Sequence, residues 1–363
     1  MKKKLRIAIL FGGKSAEHEI SLISARNIVA AMDKKKYRIV AIGIDRQGRW
    51  FHDPGARLLL GREQKRQAPS NERSLTAVLP GARQSAFISF DAPRLGAIDV
   101  VFPVLHGPFG EDGTIQGLLK LAGVPFVGAG VLGSAVGMDK DVMKRLLRDA
   151  GIPIGRFLVY DRGAARAIKF AQVTRALGLP LFVKPANLGS SVGISKVARE
   201  PELATAVKKA LRFDDKILLE EFIDGREVEC SVLGNENPIA SLPGEIITGH
   251  DFYSYDAKYV DHQGAQLVIP ARLSQAVIRR IQQMAVRAFK ALCCEGMARV
   301  DFFVQTDGRV LVNEINTIPG FTEISMYPKM WQSSGIPYSR LIDRLIQLAR
   351  RRFHREQSLR TSA

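Results

Sequence analysis

The sequence predicts a mixed α/β and α+β fold that begins with a doubly wound parallel sheet. Short β-branched runs alternate with helical patterns over residues 5–130, and a similar alternation returns over residues 154–233. A tight-turn signal lies between two apolar runs near residues 299–315. Alternating strands and helices are typical of parallel sheets built from βαβ units. At 363 residues the chain exceeds what one hydrophobic core usually supports, so we expect two or three domains.

The first part of the chain supplies the parallel sheet. We predict strands at residues 5–10, 37–44, 97–103 and 124–127. A helix begins at about Ser15. Residues 46–94 are polar and rich in Arg, Gln and Ser, which indicates a surface elaboration with a few weak strands. A helix over 139–150 ends before Gly151 and Pro153, because glycine takes the left-handed cap and proline cannot continue the helix.

The rest of the chain predicts two further units. Residues 154–233 read as strand, helix, strand, glycine-rich loop, strand, helix and strand, which suits a small α+β domain. A long helix near 274–292, the hairpin at 299–315 and a closing helix from about Ser339 follow. The domain boundaries that we expect are 1–137, 138–221 and 222–350, with a basic tail over 351–363.

The charge balance favours an enzyme with a solvated basic face. The 53 Lys and Arg exceed the 36 Asp and Glu, which gives a formal charge of +17. The basic residues lie in surface-like segments such as 34–36, 62–73 and 350–355, without aromatic interleaving or zinc-finger spacing. We therefore expect no nucleic-acid partner; a basic nucleotide- or nucleic-acid-binding protein without catalysis is the distant alternative.

Neither a membrane span nor a disulfide framework is predicted. No apolar run approaches the ~20 residues that cross a bilayer. The three cysteines form neither a C-x-x-C pair nor an even set, and Cys293 and Cys294 have no role that the pattern assigns. We expect a cytoplasmic enzyme.

The segment ARVDFFVQTDGRVLVNEINTIPG, residues 298–320, predicts a metal-binding hairpin. Asp307-Gly308 between alternating apolar runs is the signal of a two-residue type I′ turn. With that turn, Asp301 lies opposite Glu314. In the same register Arg299 lies opposite Asn316, and all four side chains share one face. Facing acids with Cβ atoms ~4.5–5.5 Å apart repel each other, so the arrangement requires a cation.

The ligand chemistry of this face favours Mg²⁺ or Mn²⁺ over Zn²⁺, because every candidate ligand is an oxygen. Such ions bridge nucleotide phosphates and neutralise charge during phosphoryl transfer. The alternative is an ordinary surface hairpin in which Arg299 pairs with Asp301 or Glu314.

A glycine-rich loop follows the predicted strand in LPLFVKPANLGSSVGISKV, residues 179–197. Small residues let backbone N–H groups approach phosphate oxygens, and Lys184 adds a positive charge at the base of the loop. A flexible hairpin turn is the alternative. Residues 217–234 then predict two strands around an acidic break. This is either an extended link that pairs with an adenine edge, with Glu227 on ribose hydroxyls, or a plain hairpin.

Together these segments resemble the ATP-grasp superfamily, and within it the D-alanine:D-alanine ligase family of bacterial cell-wall synthesis. The resemblance covers nearly the whole chain, with its motifs in the expected order. They are GGKSAEHEIS (12–21), HGPFGEDGTIQG (106–117), MDK (138–140), VKPANLGSSVG (183–193), EEFIDGREVE (220–229), FYSYDAKY (252–259), ARVDFF (298–303) and NEINTIPGFTEISM (313–326). The resemblance implies an ATP-grasp fold behind an N-terminal parallel-sheet domain.

The resemblance implies that ATP binds as co-substrate with two Mg²⁺ or Mn²⁺ ions. The implied ATP contacts are Lys140, Lys184, Ser191, Glu220, Phe222, Ile223 and Glu227. The implied metal ligands are Asp301, Glu314 and Asn316, which agrees with the face derived from the hairpin. The implied substrate contacts are His106, Lys258, Ser325 and Met326.

The implied reaction joins two D-alanine molecules through an acyl phosphate. The implied catalytic residues are Glu17, Ser190, Tyr259, Arg299 and Gly320. Glu17 would hold the first ammonium group, although alone it reads as an acid stabilising a helix start. Arg299 and the backbone N–H of Gly320 would stabilise the oxyanion. Tyr259, on a closing loop, would link to Ser190 and Glu17 and exclude water.

The second substrate is the least fixed part of this expectation. In relatives that make the D-alanyl-D-lactate ester, the tyrosine equivalent to Tyr259 is typically replaced, so its presence favours the dipeptide. A D-alanine:D-lactate or D-serine ligase is the alternative. The resemblance also implies a homodimer.

Overall fold

The computed structural model describes residues 4–56, 59, 76–81, 83, 86–89, 95–248 and 265–360. The strands are β1 (Leu5–Gly12), β2 (Tyr37–Ile44), β3 (Trp50–Asp53), β4 (Thr76–Val78), β5 (Phe87–Ser89), β6 (Val100–Val104), β7 (Phe157–Asp161), β8 (Leu181–Pro185), β9 (Ser195–Val197), β10 (Lys216–Glu221), β11 (Arg226–Gly234), β12 (Ile239–Ala240), β13 (Gly244–Thr248), β14 (Ala265–Val268), β15 (Gly296–Val304) and β16 (Val310–Asn316). The helices are α1 (His18–Ala31), α2 (Thr114–Ala122), α3 (Val131–Met138), α4 (Lys140–Asp149), α5 (Phe170–Leu177), α6 (Glu200–Ala210), α7 (Gln275–Ala291), α8 (Met326–Ser333) and α9 (Tyr338–Gln357).

The first sheet has the order β3-β2-β1-β6, and β1 runs parallel to both β2 and β6. Successive β1 residues face opposite sides: Ile7 and Ile9 pack in one core with α1 and α9, whereas Ala8 and Leu10 pack in another with α2. Helices therefore cover both faces, as the doubly wound prediction requires. The predicted strand at 124–127 is reduced to a single parallel bridge between Val101 and Phe126.

The second sheet, β7-β10-β8-β9, is antiparallel throughout. Apolar residues of α5 and α6, including Val173 and Leu203, pack with Leu181 and Val183 of β8 in one core. The predicted order of elements over 154–233 is confirmed. The expected helix end is confirmed too, since α4 ends at Asp149 and the next glycine has a φ of +64°.

The third sheet has the order β14-β13-β11-β15-β16, with β12 paired to β11. Helix α7 covers one face, where Phe289 packs among the apolar residues of β11, β15 and β16. Polar side chains on the other face are therefore left for a site. Strands β10 and β11 belong to different sheets, so the plain-hairpin alternative for residues 217–234 is wrong.

The C-terminal segment differs from the expected basic tail. Residues 351–357 continue α9, and the Arg352 side chain is buried. Its guanidinium donates hydrogen bonds to the carbonyl oxygens of Gly128 and Phe126 and lies over the Phe126 ring, 4.4 Å from the centroid. This basic residue therefore joins α9 to the first sheet rather than facing solvent. No helix in the described part of the chain is long and apolar enough to cross a membrane.

Candidate active site

The hairpin of β15 and β16 places the predicted carboxylates opposite each other. Asp301 pairs with Glu314, and Arg299 pairs with Asn316. The predicted two-residue turn is wrong, however. The Gln305 N–H donates to the Arg309 carbonyl at 2.9 Å, so the loop has three residues and ends in a left-handed glycine.

A β-bulge reconciles this turn with the predicted pairing. Phe302 pairs with Val312, whereas Asp301 pairs with Glu314, so Asn313 is an extra residue on β16. The longer turn shifts the register by one position, and the bulge shifts it back before the acids. The predicted pairing of Asp301 with Glu314 and of Arg299 with Asn316 is therefore confirmed, but it depends on a bulge at Asn313 that the sequence pattern did not predict.

Strand β11 adds a third carboxylate that the sequence analysis did not select. Glu229 pairs with Asp301 from the other side of β15. Arg299 lies between them: its guanidinium donates two hydrogen bonds of 2.7 Å to Asp301 and lies 3.0 Å from a Glu229 oxygen. Burial alone would lower the pKa of Arg299, but Asp301 and Glu229 raise it well above the usual value. We call Glu229, Asp301, Glu314 and Arg299 the acidic cluster.

The acidic cluster fits a hard divalent cation. The buried Oδ1 of Asn316 has no hydrogen-bond partner among the described residues. Both Asp301 oxygens accept from Arg299, and a carboxylate oxygen can accept at two positions. No group of three His, Cys, Asp or Glu suited to a metal occurs within the described ranges. An ion here would therefore take the carboxylates of Asp301 and Glu314 and the amide oxygen of Asn316. Phosphate or water oxygens would complete its coordination shell, as Mg²⁺ prefers.

Next to the acidic cluster, three lysines surround the carboxylate of Glu220. Glu220 on β10 lies 2.5 Å from Lys184 Nζ and 3.2 Å from Lys144 Nζ. Burial would raise the pKa of Glu220, but the two ammonium groups outweigh it and lower the pKa to about 2. Lys140 is also buried, and burial lowers its pKa. We call Lys140, Lys144, Lys184 and Glu220 the lysine cluster; Lys144 was not predicted.

The glycine-rich loop connects this cluster to helix α1. Ser190 Oγ donates a hydrogen bond of 2.5 Å to Glu17, and Lys140 Nζ donates one of 2.5 Å to the Leu188 carbonyl. Leu188, Ser190 and Ser191 all have positive φ values, an uncommon conformation outside glycine. The loop is thus a hairpin connection between β8 and β9 with a specific conformation and fixed partners.

A second loop, between β6 and α2, carries two buried titratable groups. His106 Nδ1 lies 3.0 Å from the Ile318 carbonyl oxygen, and burial lowers the pKa of this histidine. Glu111 accepts from the Gly107 and Ile318 N–H groups. Burial, with the Glu17 charge, raises the pKa of Glu111 to about 8. Glu111 was not among the predicted site residues.

The segment after β16 leads from the metal face to helix α8. A Cβ at position 320 would lie 2.7 Å from Ser325 Oγ, so a larger residue there would force the Ser325 hydroxyl to move. Ser325 Oγ accepts the Thr322 N–H at 2.9 Å and precedes α8, which begins at Met326. The N–H groups of the first helical turn have no intrahelical partner and favour an anion.

Two adjoining cavities collect the predicted site residues. One, of about 200 Å³, is lined by Glu17, His106, Arg299, Asn316, Gly320, Ser325 and Met326. The other, of about 360 Å³, is lined by Lys184, Ser191, Glu220, Phe222, Ile223, Glu227 and Asp301. Lys140, Ser190 and Glu314 line both cavities. Every predicted site residue in the described part of the chain therefore borders one continuous cleft.

Comparison with known proteins agrees with this arrangement. The family model for the D-ala D-ala ligase N-terminus matches residues 6–129, and the model for the D-ala D-ala ligase C-terminus matches residues 146–347. The chain belongs to the D-alanine–D-alanine ligase family. It is therefore an ATP-dependent ligase with the ATP-grasp fold, and the predicted fold class and reaction class are confirmed.

Relatives of the family match over their full length. A D-alanine–D-alanine ligase of Oceanobacillus iheyensis is 51% identical over 364 residues, covering 100% of this chain and 99% of the relative. D-alanine–D-alanine ligase A of Escherichia coli K12 is 50% identical, covering 99% and 100%. The solved D-alanine–D-alanine ligase of Coxiella burnetii has a TM-score of 0.87 at 44% identity, covering 98% and 96%. The VanG D-Ala:D-Ser ligase of Enterococcus faecalis has a TM-score of 0.85 at 38% identity, covering 96% and 100%.

Two residues that the family resemblance assigns, Lys258 and Tyr259, lie outside the described residues. The described chain ends at 248 before this segment and resumes at 265. The link expected from Tyr259 to Ser190 and Glu17 stays a prediction, although the bond between Ser190 and Glu17 is present.

Proposed function

We propose that this protein joins two D-alanine molecules into D-alanyl-D-alanine, converting ATP to ADP and phosphate, for the synthesis of peptidoglycan precursors. The observation that carries this proposal is the junction of the two cavities at Lys140, Ser190 and Glu314. An ATP phosphate bound on the lysine side of that junction would lie beside the carboxylate of a D-alanine whose ammonium group is bound by Glu17. The names of the relatives supply the substrate.

The chemistry explains why both cavities are needed. A bare carboxylate resists attack by an amine, so the γ-phosphoryl group of ATP is first transferred to a carboxylate oxygen. The amine of the second D-alanine then attacks the carbonyl carbon, loses a proton and expels phosphate. Lys140 and Lys184 would bind the ATP phosphates, and Arg299 would face the oxyanion of the tetrahedral intermediate together with the Gly320 N–H.

Substrate orientation would come from the smaller cavity. Glu17 would bind the first ammonium group, beside His106. Ser325 and the Met326 N–H at the start of α8 would bind the carboxylate of the second D-alanine. Two Mg²⁺ or Mn²⁺ ions on Asp301, Glu314 and Asn316 would neutralise phosphate charge.

The nucleotide contacts are proposed from the larger cavity. Phe222 and Ile223 lie on the link from β10 to β11, and Glu227 lies at the start of β11. The adenosine would bind along these residues. The Glu220 side chain is engaged by Lys184 and Lys144, so it would act on ATP mainly by orienting those lysines. Ser191 would offer its backbone N–H or hydroxyl to phosphate.

The organisation of the chain follows the same proposal. Each of the four sheets of the described residues, including the two-stranded sheet of β4 and β5, lies inside one of the proposed domains 1–137, 138–221 and 222–350. We propose a cytoplasmic location, because ATP is the co-substrate, and a homodimer by likeness to the family.

The test is a ligation assay with the purified full-length protein. D-Alanine, ATP and Mg²⁺ should yield equal amounts of D-alanyl-D-alanine, measured by mass spectrometry, and ADP. L-Alanine in place of D-alanine should yield neither. ADP release without dipeptide would overturn the proposal.

The second substrate needs its own competition, because a D-Ala:D-Ser ligase is among the similar structures. D-Alanine, D-serine and D-lactate are offered together across pH 6 to 9. Since the free amine of the second amino acid must attack, the fraction of dipeptide relative to the D-alanyl-D-lactate ester should rise with pH. A dominant ester or D-serine product would favour the alternative ligases.

A further inference from the structure

Glu111 is a buried carboxyl that the proposed reaction leaves without a role. It accepts the Gly107 N–H at 2.7 Å and the Ile318 N–H at 3.1 Å. The first bond stays within its own loop, whereas the second crosses to the segment that follows β16. With 8% of the residue exposed, both bonds are shielded from bulk water.

Ile318 is held through both of its backbone polar groups by the same loop. Glu111 accepts its N–H, and His106 Nδ1 lies 3.0 Å from its carbonyl oxygen. Because both groups of Ile318 are engaged, the residue has little freedom to rotate. Gly320, whose N–H is assigned to the oxyanion, lies two residues further along the chain.

The other side of Gly320 is anchored as well. The Phe321 N–H donates to Ser24 Oγ at 3.1 Å, and its carbonyl accepts the Tyr338 hydroxyl at 2.8 Å. The oxyanion donor therefore lies between two fixed residues. Among these anchors, Glu111 is the side chain that joins the loop between β6 and α2 to the Ile318 N–H.

We propose that Glu111 is a positioning residue for the ligation step: it fixes Ile318 so that the Gly320 N–H stays directed at the oxyanion of the tetrahedral intermediate. The inference rests on the proposed function, because only an acyl transfer forms that oxyanion. Misplacement of a catalytic group by about 1 Å is enough to slow an enzyme roughly 100-fold.

The site requires a carboxyl and not merely its volume. Both neighbours are N–H donors, so each side-chain oxygen must accept. A protonated carboxyl can turn its one O–H away and still accept on both oxygens, which is relevant because burial raises its pKa to about 8. Glutamine has the same size, but its NH₂ group would face an N–H donor and leave it unsatisfied.

The test compares Glu111→Gln with Asp112→Asn in the full-length enzyme. Asp112 is a matched control, since it accepts the Phe109 N–H of its own loop at 2.8 Å and the N–H of Thr114, the first residue of α2, at 3.0 Å. For Glu111→Gln we expect kcat to fall about 10- to 100-fold with the KM for ATP unchanged. A tetrahedral phosphinate analogue of the intermediate should lose affinity by the same factor. Asp112→Asn should match wild type in both measurements.

A second variant separates positioning from folding. Glu111→Asp keeps two acceptor oxygens on a shorter side chain, so it should recover part of the kcat that glutamine loses. The inference is overturned if Glu111→Gln retains wild-type kcat, or if aspartate is no better than glutamine. Either of these results would overturn the role of Glu111 without affecting the proposed function, because the wild-type enzyme would still form the dipeptide. A wild-type enzyme that makes no dipeptide would overturn the proposed function itself.

Discussion

The acidic cluster and the lysine cluster are opposite in composition although they border the same cleft. The first surrounds one guanidinium with three carboxylates, and the second surrounds one carboxylate with three ammonium groups. They adjoin where Lys140 and Glu314 line both cavities. Each cluster thus holds an excess of one sign in a poorly hydrated place, where uncompensated charge is unfavourable.

This difference shows that local charge composition identifies the ligand better than total charge does. A formal charge of +17 fits many polyanions. An acidic cluster beside a lysine cluster fits a ligand that carries both signs, and nucleotide phosphates with a divalent cation are such a ligand. The single opposite charge would then act differently in each cluster: in the proposed reaction Arg299 would face the reacting carbonyl, whereas Glu220 would hold the lysines in place.

The largest effect is expected from Glu314→Gln, which removes a carboxylate from the acidic cluster without changing its size. We expect kcat/KM for dipeptide formation to fall about 1,000-fold, because a cation on the remaining oxygens would be held weakly. The melting temperature should change little, because the lost repulsion between Glu314 and Asp301 is offset by the lost attraction of Glu314 to Arg299, Lys140 and Lys184. Activity is measured by dipeptide formation and stability by thermal unfolding.

Asp307→Asn is the matched control for that variant. Asp307 lies in the exposed turn of the same hairpin, where its carboxylate pairs with nearby Arg309. Its loss should leave kcat/KM unchanged. A Glu314→Gln enzyme within tenfold of wild type would remove the acidic cluster from the mechanism.

Lys184→Met should have the second largest effect and should differ in stability. Removing this cation should lower kcat/KM for ATP about 100-fold. It also leaves buried Glu220 with Lys144 as its remaining ion-pair partner, so the free energy of unfolding should fall by about 2–3 kcal/mol. Lys169→Met, an exposed lysine before α5, serves as the control. An equal change in stability for Glu314→Gln and Lys184→Met would contradict the contrast between the clusters.

The acid dependence of stability sharpens the same contrast. Glu220 has a folded-state pKa of about 2, below the ordinary value of 4.5. Because the folded pKa is depressed, the ionised carboxylate stabilises the fold fully above about pH 4.5, and that contribution is lost as pH falls toward 2. The loss is about 1.4 kcal/mol per pH unit within that window.

Urea unfolding of wild type and Glu220→Gln measures this loss. The difference in their free energies of unfolding should be constant between pH 7 and pH 5 and should shrink below pH 4.5. A difference that is the same at pH 7 and pH 3.5 would show that the ion pairs with lysine contribute nothing to stability.

The two clusters also differ in how far sequence reasoning reaches. The acidic face was predictable because a short turn fixes the register of β15 against β16, even though the turn length was wrong and the bulge at Asn313 restored the pairing. Glu229 was not predictable in this way, since β11 and β15 are far apart in sequence and no tight turn sets their register. The bond between Ser190 and Glu17 likewise depends on how the second sheet sits against α1.

Lys144 and Glu111, which the sequence analysis did not select, have weaker sequence signals. Lys144 follows Lys140 by four residues on a predicted helix, a spacing that places both on one face. Glu111 lies inside a recognised motif, but only the tertiary contact with Ile318 shows what it holds. Helix and strand order followed from local patterns, whereas contacts between sheets required the fold.

The smallest effect is expected at the hairpin turn, where Gly308→Ala tests whether the turn or the bulge controls the acidic cluster. Gly308 has a φ of +81°, and an added Cβ would meet nothing within 4 Å, so the only penalty is backbone strain of about 1 kcal/mol. Gly335→Ala, with a φ of +83° and equally open surroundings, is the matched control. Both variants should lose similar stability by thermal unfolding and keep wild-type kcat. Because β11 and the bulge hold Asp301 in register independently of the turn, a fall in kcat for Gly308→Ala alone would show that the turn sets the geometry of the acids after all.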